Sequence, residues 1–230
     1  MEVTAFLFDG FLISLLIFAV TLLCGAPLGL PIAFCSMSKF KPLKAVSKVI
    51  VWIVRGVPLM LQIFIIYYVP GLLFNFPMFS KIDIFMLVNY GVEDAGRIVA
   101  VLIAFTINYA CYFSEIYRGG IESIAKGQYE AGQVLGLKKS QVFFQIVLFQ
   151  VIKRILAPMS NEIITLVKDT SLANTLAVIE IIRVAKSFSA TYSINVIIPL
   201  LYAGAFYLVF VGLLTILFGK VEKKMSFYKE

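Results

Sequence analysis

Charged residues along this chain are sparse and clustered, and between the clusters lie apolar runs of membrane-crossing length. A spanning helix needs about 20 mostly apolar residues. Residues 10–38 are uncharged between Asp9 and Lys39, and residues 56–80 follow Arg55 with no charge. Residues 98–114 lie between Arg97 and Glu115, and a long uncharged tract covers 187–219. A fifth stretch, 155–182, is apolar but carries Glu162, Lys168, Asp169 and Glu180. Charges at membrane depth are costly and face a bundle interior or a wet cavity. The pattern predicts an all-α membrane protein with five transmembrane helices, over about 11–38, 53–75, 97–116, 155–180 and 195–219.

Basic residues set the direction of these spans, because Lys and Arg concentrate in cytoplasmic loops. Lys39, Lys41, Lys44 and Lys48 form one such cluster, and Arg118, Lys126, Lys138, Lys139, Lys153 and Arg154 form another. Lys220, Lys223, Lys224 and Lys229 close the chain. The connection 70–97 holds Asp83, Glu93 and Asp94 against Lys81 and Arg97 and is expected outside. Two inside segments must be joined by an even number of crossings, so the charged stretch 155–182 has to be a span. The N-terminus is then outside and the C-terminus cytoplasmic. The first run opens with Glu2 and Asp9 and no early base, unlike a signal peptide, and is expected to be retained.

Composition agrees. The 230 residues are 61% hydrophobic and only 14% charged, with mean hydropathy +0.96, too few charges to cover a soluble surface. The net charge of +7 is accounted for by orientation, so nucleic acid is not an expected partner. Histidine is absent, which removes imidazole-based catalysis and weakens any case for a transition metal. Cys24, Cys35 and Cys111 sit in apolar runs without a Cys-x-x-Cys pairing and read as buried thiols. Neither catalytic nor metal-binding residues are expected. No repeat or domain boundary interrupts the chain, which reads as one transmembrane domain over 1–230.

The insert between spans three and four contains Ala-Lys-Gly-Gln-Tyr-Glu-Ala-Gly-Gln-Val-Leu-Gly-Leu-Lys-Lys-Ser, residues 125–140. Its middle predicts a short helix from about Gln128 to Leu135, stopped by Gly136, a residue that takes the left-handed conformation easily. Tyr129, Val134, Leu135 and Leu137 give it apolar surface, suited to a groove on another protein or to lying on lipid. Here Glu130-Ala131-Gly132, then Gly136, then Ile146-x-Leu148 resembles the EAA motif of bacterial ABC importer permeases: EAA, three residues, G, nine residues, I-x-L-P. The spacing matches throughout. Gly132 replaces the second Ala, and Phe149 replaces the Pro that would bend the start of span four.

Two more segments narrow the resemblance to the polar amino-acid uptake permeases. Arg55-Gly56-Val57-Pro58-Leu59-Met60-Leu61-Gln62 resembles their R-G-T-P-L-x-x-Q segment, and residues 161–172, Asn-Glu-Ile-Ile-Thr-Leu-Val-Lys-Asp-Thr-Ser-Leu, resemble their fourth span. The likeness covers roughly 10–220, and three motifs in order are not easily chance. It implies the type I importer permease fold with a cytoplasmic coupling helix over about 126–138. Tyr129, Glu130, Ala131, Gly132, Leu135 and Gly136 would then meet the ATPase. It further implies two ATPase subunits, a second permease identical or similar to this one, an extracytoplasmic solute-binding protein, an amino-acid substrate, and residence in the bacterial inner membrane. The chain has no G-x-x-x-x-G-K-[ST] loop, so ATP and Mg would be bound by the partner and the chain itself would not be an enzyme.

Within span four, Asn161, Glu162, Thr165, Lys168 and Asp169 recur at three- and four-residue steps and form a polar stripe. With Thr170 and Ser171 they are the expected substrate contacts, Asp169 for an amino or guanidinium group and Lys168 for a carboxylate. A structural ion pair is the alternative for Lys168 and Asp169. Asn108, Tyr109 and Glu115 could line the same cavity or serve as interhelical bonds. An ion-coupled secondary transporter or a channel, needing no ATPase, is the rival function; no inverted repeat favours it.

Overall fold

The computed structural model describes residues 2–90 and 93–226, so Lys229 of the basic tail lies outside the described residues. Every regular element among the described residues is helical. In chain order these are α1 (Glu2–Met37), α2 (Lys41–Gly56), α3 (Leu59–Phe74), α4 (Met78–Tyr90) and α5 (Ala95–Glu122). Then come α6 (Lys126–Val134), α7 (Lys139–Val142), α8 (Leu148–Asp169), α9 (Ile181–Tyr192) and α10 (Ile197–Ser226). Four stretches, Val3–Met37, Ala95–Glu122, Lys139–Leu176 and Ile197–Met225, are long and apolar enough to cross a membrane. A fifth crossing is available if α2 and α3, bent by 105° at their junction, act as one span.

Helix α5 is the centre of the bundle. Ala100, Val101, Ala104, Phe105 and Phe113 are fully enclosed by the chain. Helix α1 runs along it, with Gly25 and Gly29 at the contact: a Cβ on Gly29 would stand 2.9 Å from Phe113 Cβ and 3.0 Å from the Ala110 carbonyl. Lipid is as apolar as leucine, so the hydrophobic effect does little here, and close approach through small residues supplies the dispersion contact instead. Pro27 and Pro31 lie inside α1 without ending it, and Tyr117 donates to the Ala26 carbonyl at 3.1 Å.

The connection after α3 is more ordered than its composition predicts. Asn75, left-handed at φ 50°, stops α3, and α4 folds back against the start of α5. Asp83 on α4 accepts from the Gly96 amide at 2.8 Å and from Tyr67 Oη at 3.3 Å. A carboxylate from a neighbouring helix thus caps the first turn of α5, where orphan amides and the helix dipole favour negative charge. Gly96 is required there, since a Cβ would run into the Phe79 carbonyl.

The long span through α8 differs at both ends from the reading of 155–180. It enters through a π-helical turn, Phe143–Val147, in which the Leu148 amide bonds the Phe143 carbonyl. Phe149 follows inside regular helix, so a π turn, not a proline, marks this entry. At the far end a 3₁₀ turn, Thr170–Leu176, finishes the span. Glu180 lies beyond it, fully enclosed, as the N-cap of α9, accepting from the Ile182 and Arg183 amides at 2.9 and 2.8 Å. Burial pushes its carboxyl up to about 7, against the pull of those two amides.

Candidate functional site

Polar side chains collect where α2, α3, α5 and α8 meet. At the junction of α2 and α3, Gly56 and Pro58 end one helix and start the next. Gln62 reaches back, its Nε2 donating to the carbonyls of Val54 at 2.6 Å and Val57 at 2.8 Å. Asn108 Nδ2 on α5 donates to Gln62 Oε1 at 3.3 Å. One turn further along α5, Arg55 lies over the Tyr112 ring at 4.8 Å and 3.6 Å from Glu115. Arg118 forks around Glu115 at 3.0 and 2.7 Å and extends to Glu122 at 2.6 Å. Arg55 thus joins the end of α2 to α5.

The seven span-four residues are not brought to one place. Glu162 and Asp169 are half-buried and turned inward. Asp169 accepts from Tyr109 Oη on α5 at 2.7 Å. Glu162 lies within the electrostatic reach of Arg55 and Asp169, yet among the described residues no hydrogen bond or ion pair engages its carboxylate. Asn161, Thr165 and Lys168 lie on the face of α8 that this chain leaves uncovered. Thr165, Thr170 and Ser171 turn their hydroxyls back to the carbonyls of Asn161, Val167 and Lys168. Thr170 is buried, 3.3 Å from Tyr207 Oη, which places it in packing between α8 and α10. Sequence reading gave Gln62 and Tyr112 no place in this polar cluster and left Tyr109 ambiguous. The hint for Gln62 was its place four residues after a helix-breaking proline.

Helix α6 stands at the other end of α5. Gly136, at φ 73°, closes it: the Gly136 amide bonds the Gln133 carbonyl at 2.9 Å and the Leu137 amide bonds the Gly132 carbonyl at 3.0 Å. That pair of bonds is the Schellman stop, and an L side chain at 136 would strain it. Tyr129 packs on Ile124, Val142, Val147 and Val151. Glu130, Ala131 and Leu135 are exposed, and Val134 and Leu135 present 87% and 75% of their surface. Gly132 is buried: a Cβ there would come within 2.5 Å of Val142 Cγ2, which explains the departure from alanine. At the opposite end of the bundle two clefts of about 440 and 620 Å³ share Arg97. Asp94 lines the smaller, pairs with Arg97, and has its carboxyl raised chiefly by burial.

A chain whose described residues are all helical, with four or five candidate crossings, a short ordered helix at one end and acids inside the bundle, has the architecture of a multi-pass transport permease. Residues 25–227 match the family described as binding-protein-dependent transport system inner membrane component, and the chain is a member of it. It is 34% identical over 205 residues to the L-cystine transport system permease protein TcyB of Bacillus subtilis, covering 89% of this chain and 80% of that one. To the arginine transport system permease protein ArtQ of Bacillus subtilis it is 33% identical over 222 residues, 96% and 93% of the two chains. A putative glutamine transport system permease protein GlnP of Rickettsia conorii is 30% identical over 221 residues, 96% of this chain and 93% of the relative. Among solved structures, that of an amino acid ABC transporter with histidines superposes with TM-score 0.80 at 26% identity, covering 97% and 95% of the two chains. The MetNI methionine ABC transporter, at 14% identity and TM-score 0.63 over 96% and 94%, shares the fold.

Proposed function

We propose that this chain is the membrane subunit of an ATP-driven importer of polar or charged amino acids. It works in the bacterial inner membrane with two ATPase subunits that bind ATP and Mg, a second permease of the same or similar sequence, and an extracytoplasmic solute-binding protein. The family match and the transport permeases among its relatives support the class. The observation that carries the reading is α6, a short helix with Val134 and Leu135 uncovered beside a glycine stop, packed on α7 and the π turn and lying in the chain between α5 and α8. Apolar side chains raised from a firm base suit a groove on a partner protein. Movement of that groove when ATP binds and is hydrolysed would be passed to α5 and α8, the helices that carry Tyr109, Glu162 and Asp169.

Glu162 and Asp169 are assigned the substrate ammonium, and Lys168, on the uncovered face of α8, the carboxylate. That uncovered polar face supports a path completed by the second permease. Solute enters from the end with the Arg97 clefts, which is outside, and leaves at the α6 end, which is cytoplasmic; the N-terminus is then outside and the C-terminus inside. Alternating access follows from opening one end at a time.

The test is ATPase turnover of this chain assembled in lipid nanodiscs with its ATPase, compared with Gly136→Asp and Glu130→Lys. The expected result is co-purification of the native pair and loss of turnover stimulation in both variants. A chain that neither holds an ATPase nor alters its turnover overturns the reading and leaves ion-driven uptake to be tested.

A further inference from the structure

The break between α2 and α3 leaves two carbonyls without helical partners. In an unbroken helix the Val54 carbonyl would accept from the N–H of residue 58, but that residue is Pro58, which has none. Val57 is extended, at φ −99° and ψ 131°, so its carbonyl leaves the ladder too. The first-turn amides of α3 do not supply the deficit, since Leu61 and Gln62 both donate to the Pro58 carbonyl. Both hydrogens of the Gln62 carboxamide go instead to Val54 and Val57, and its oxygen is taken by Asn108, itself only 5% exposed. The Val54 and Val57 carbonyls and the Gln62 carboxamide are all partly buried by the chain, where unmet polarity is costly.

The arrangement also fixes an angle. Asn108, Tyr112 and Glu115 follow one another at four- and three-residue steps, so they occupy one face of α5. The bent pair touches that face on both sides of its break, through Gln62 at Asn108 and through Arg55 at Tyr112 and Glu115. We propose that Gln62 is a positioning residue for transport: its carboxamide replaces the N–H that Pro58 lacks, holds the 105° bend, and so keeps Arg55 seated on α5. The spacing Pro-x-x-x-Gln has a physical reason, because the donor must come from the first turn after the break.

This inference rests on the importer reading, and its experiment uses the permease assembled with its ATPase in nanodiscs. Two readouts are taken, amide hydrogen exchange across residues 54–66 and ATPase turnover. Gln62→Met keeps the length of the side chain and loses the donors. It should speed exchange across the break roughly ten-fold, the effect of losing about two net hydrogen bonds, and cut turnover ~5-fold or more. Gln62→Glu at pH 8 keeps the acceptor for Asn108 and should behave alike. The double variant Pro58→Ala with Gln62→Met returns an N–H to the Val54 carbonyl while letting the helix straighten. It should regain slow exchange but not turnover. Recovery of both would reduce Gln62 to a filler of carbonyl valence and overturn the proposal, as would native exchange and turnover in Gln62→Met. Failure of the importer reading looks different: the native chain would leave ATPase turnover unchanged, while exchange would still tell a fixed bend from a free one.

Discussion

Helices α5 and α10 are nearly equal in length and both apolar, yet the bundle treats them oppositely. In α5, 56% of the most apolar window is enclosed by the chain; in α10, 6% is. The difference lies in side-chain size and polarity. Helix α5 carries Gly96, Ala100, Ala104, Ala110, Ser114 and Gly120 where neighbours press close, with Asn108 and Tyr109 bonding across to other helices. Helix α10 presents Leu201, Leu208, Val209, Leu213 and Ile216, all more than half exposed. In a membrane, apolarity says which segments cross, and small and polar residues say which of them sits inside.

The sharpest way to break that contrast is to enlarge a small residue at the α1–α5 contact. Gly29→Leu should cost ~3 kcal/mol or more, because backbone and Phe113 Cβ have no room to yield; thermal unfolding in nanodiscs would register it. Tyr109→Phe removes one interhelical bond and leaves the Asp169 carboxylate short of a donor, for a loss of about 2 kcal/mol, readable in the same assay. A pH series tests the enclosed acid that caps α9. The Glu180 carboxyl titrates near 7 when folded against an ordinary value of 4.5, so its stabilising contribution is complete below pH 4.5 and fades as pH rises through 7. Glu180→Gln should flatten that decline, as followed by unfolding midpoints between pH 4 and pH 8. On the far side of the contrast, Leu208→Ala in α10 should change stability by no more than about 0.5 kcal/mol, and a larger loss would mean that α10 is covered in the assembled protein.

The same contrast explains what the sequence could reveal. Long apolar runs between charges pointed to the helices long enough to cross a membrane, and the glycine stop at 136 pointed to α6, because each signal is local. Helix α4 was invisible: its residues read as a loop, and it is held by Asp83 meeting amides thirteen residues later. In the sequence Gly132 was only a departure from alanine; Val142, packed beside it, supplies the reason. Lys168 seemed to belong with Glu162 and Asp169 on a helical wheel, but it lies on the side of α8 that this chain does not cover. Wheels give the angle between residues and cannot say where the neighbours stand.

The π turn at 143–147 acts as a phase shifter. A π turn holds one more residue than an α turn, so everything beyond it is rotated by about 100° from where a regular helix would carry it. Asp169 meets Tyr109 of α5 with that extra residue in place upstream. Deleting a single residue in that turn would leave every side chain of the stripe intact and aim the whole set about 100° away from where it now stands.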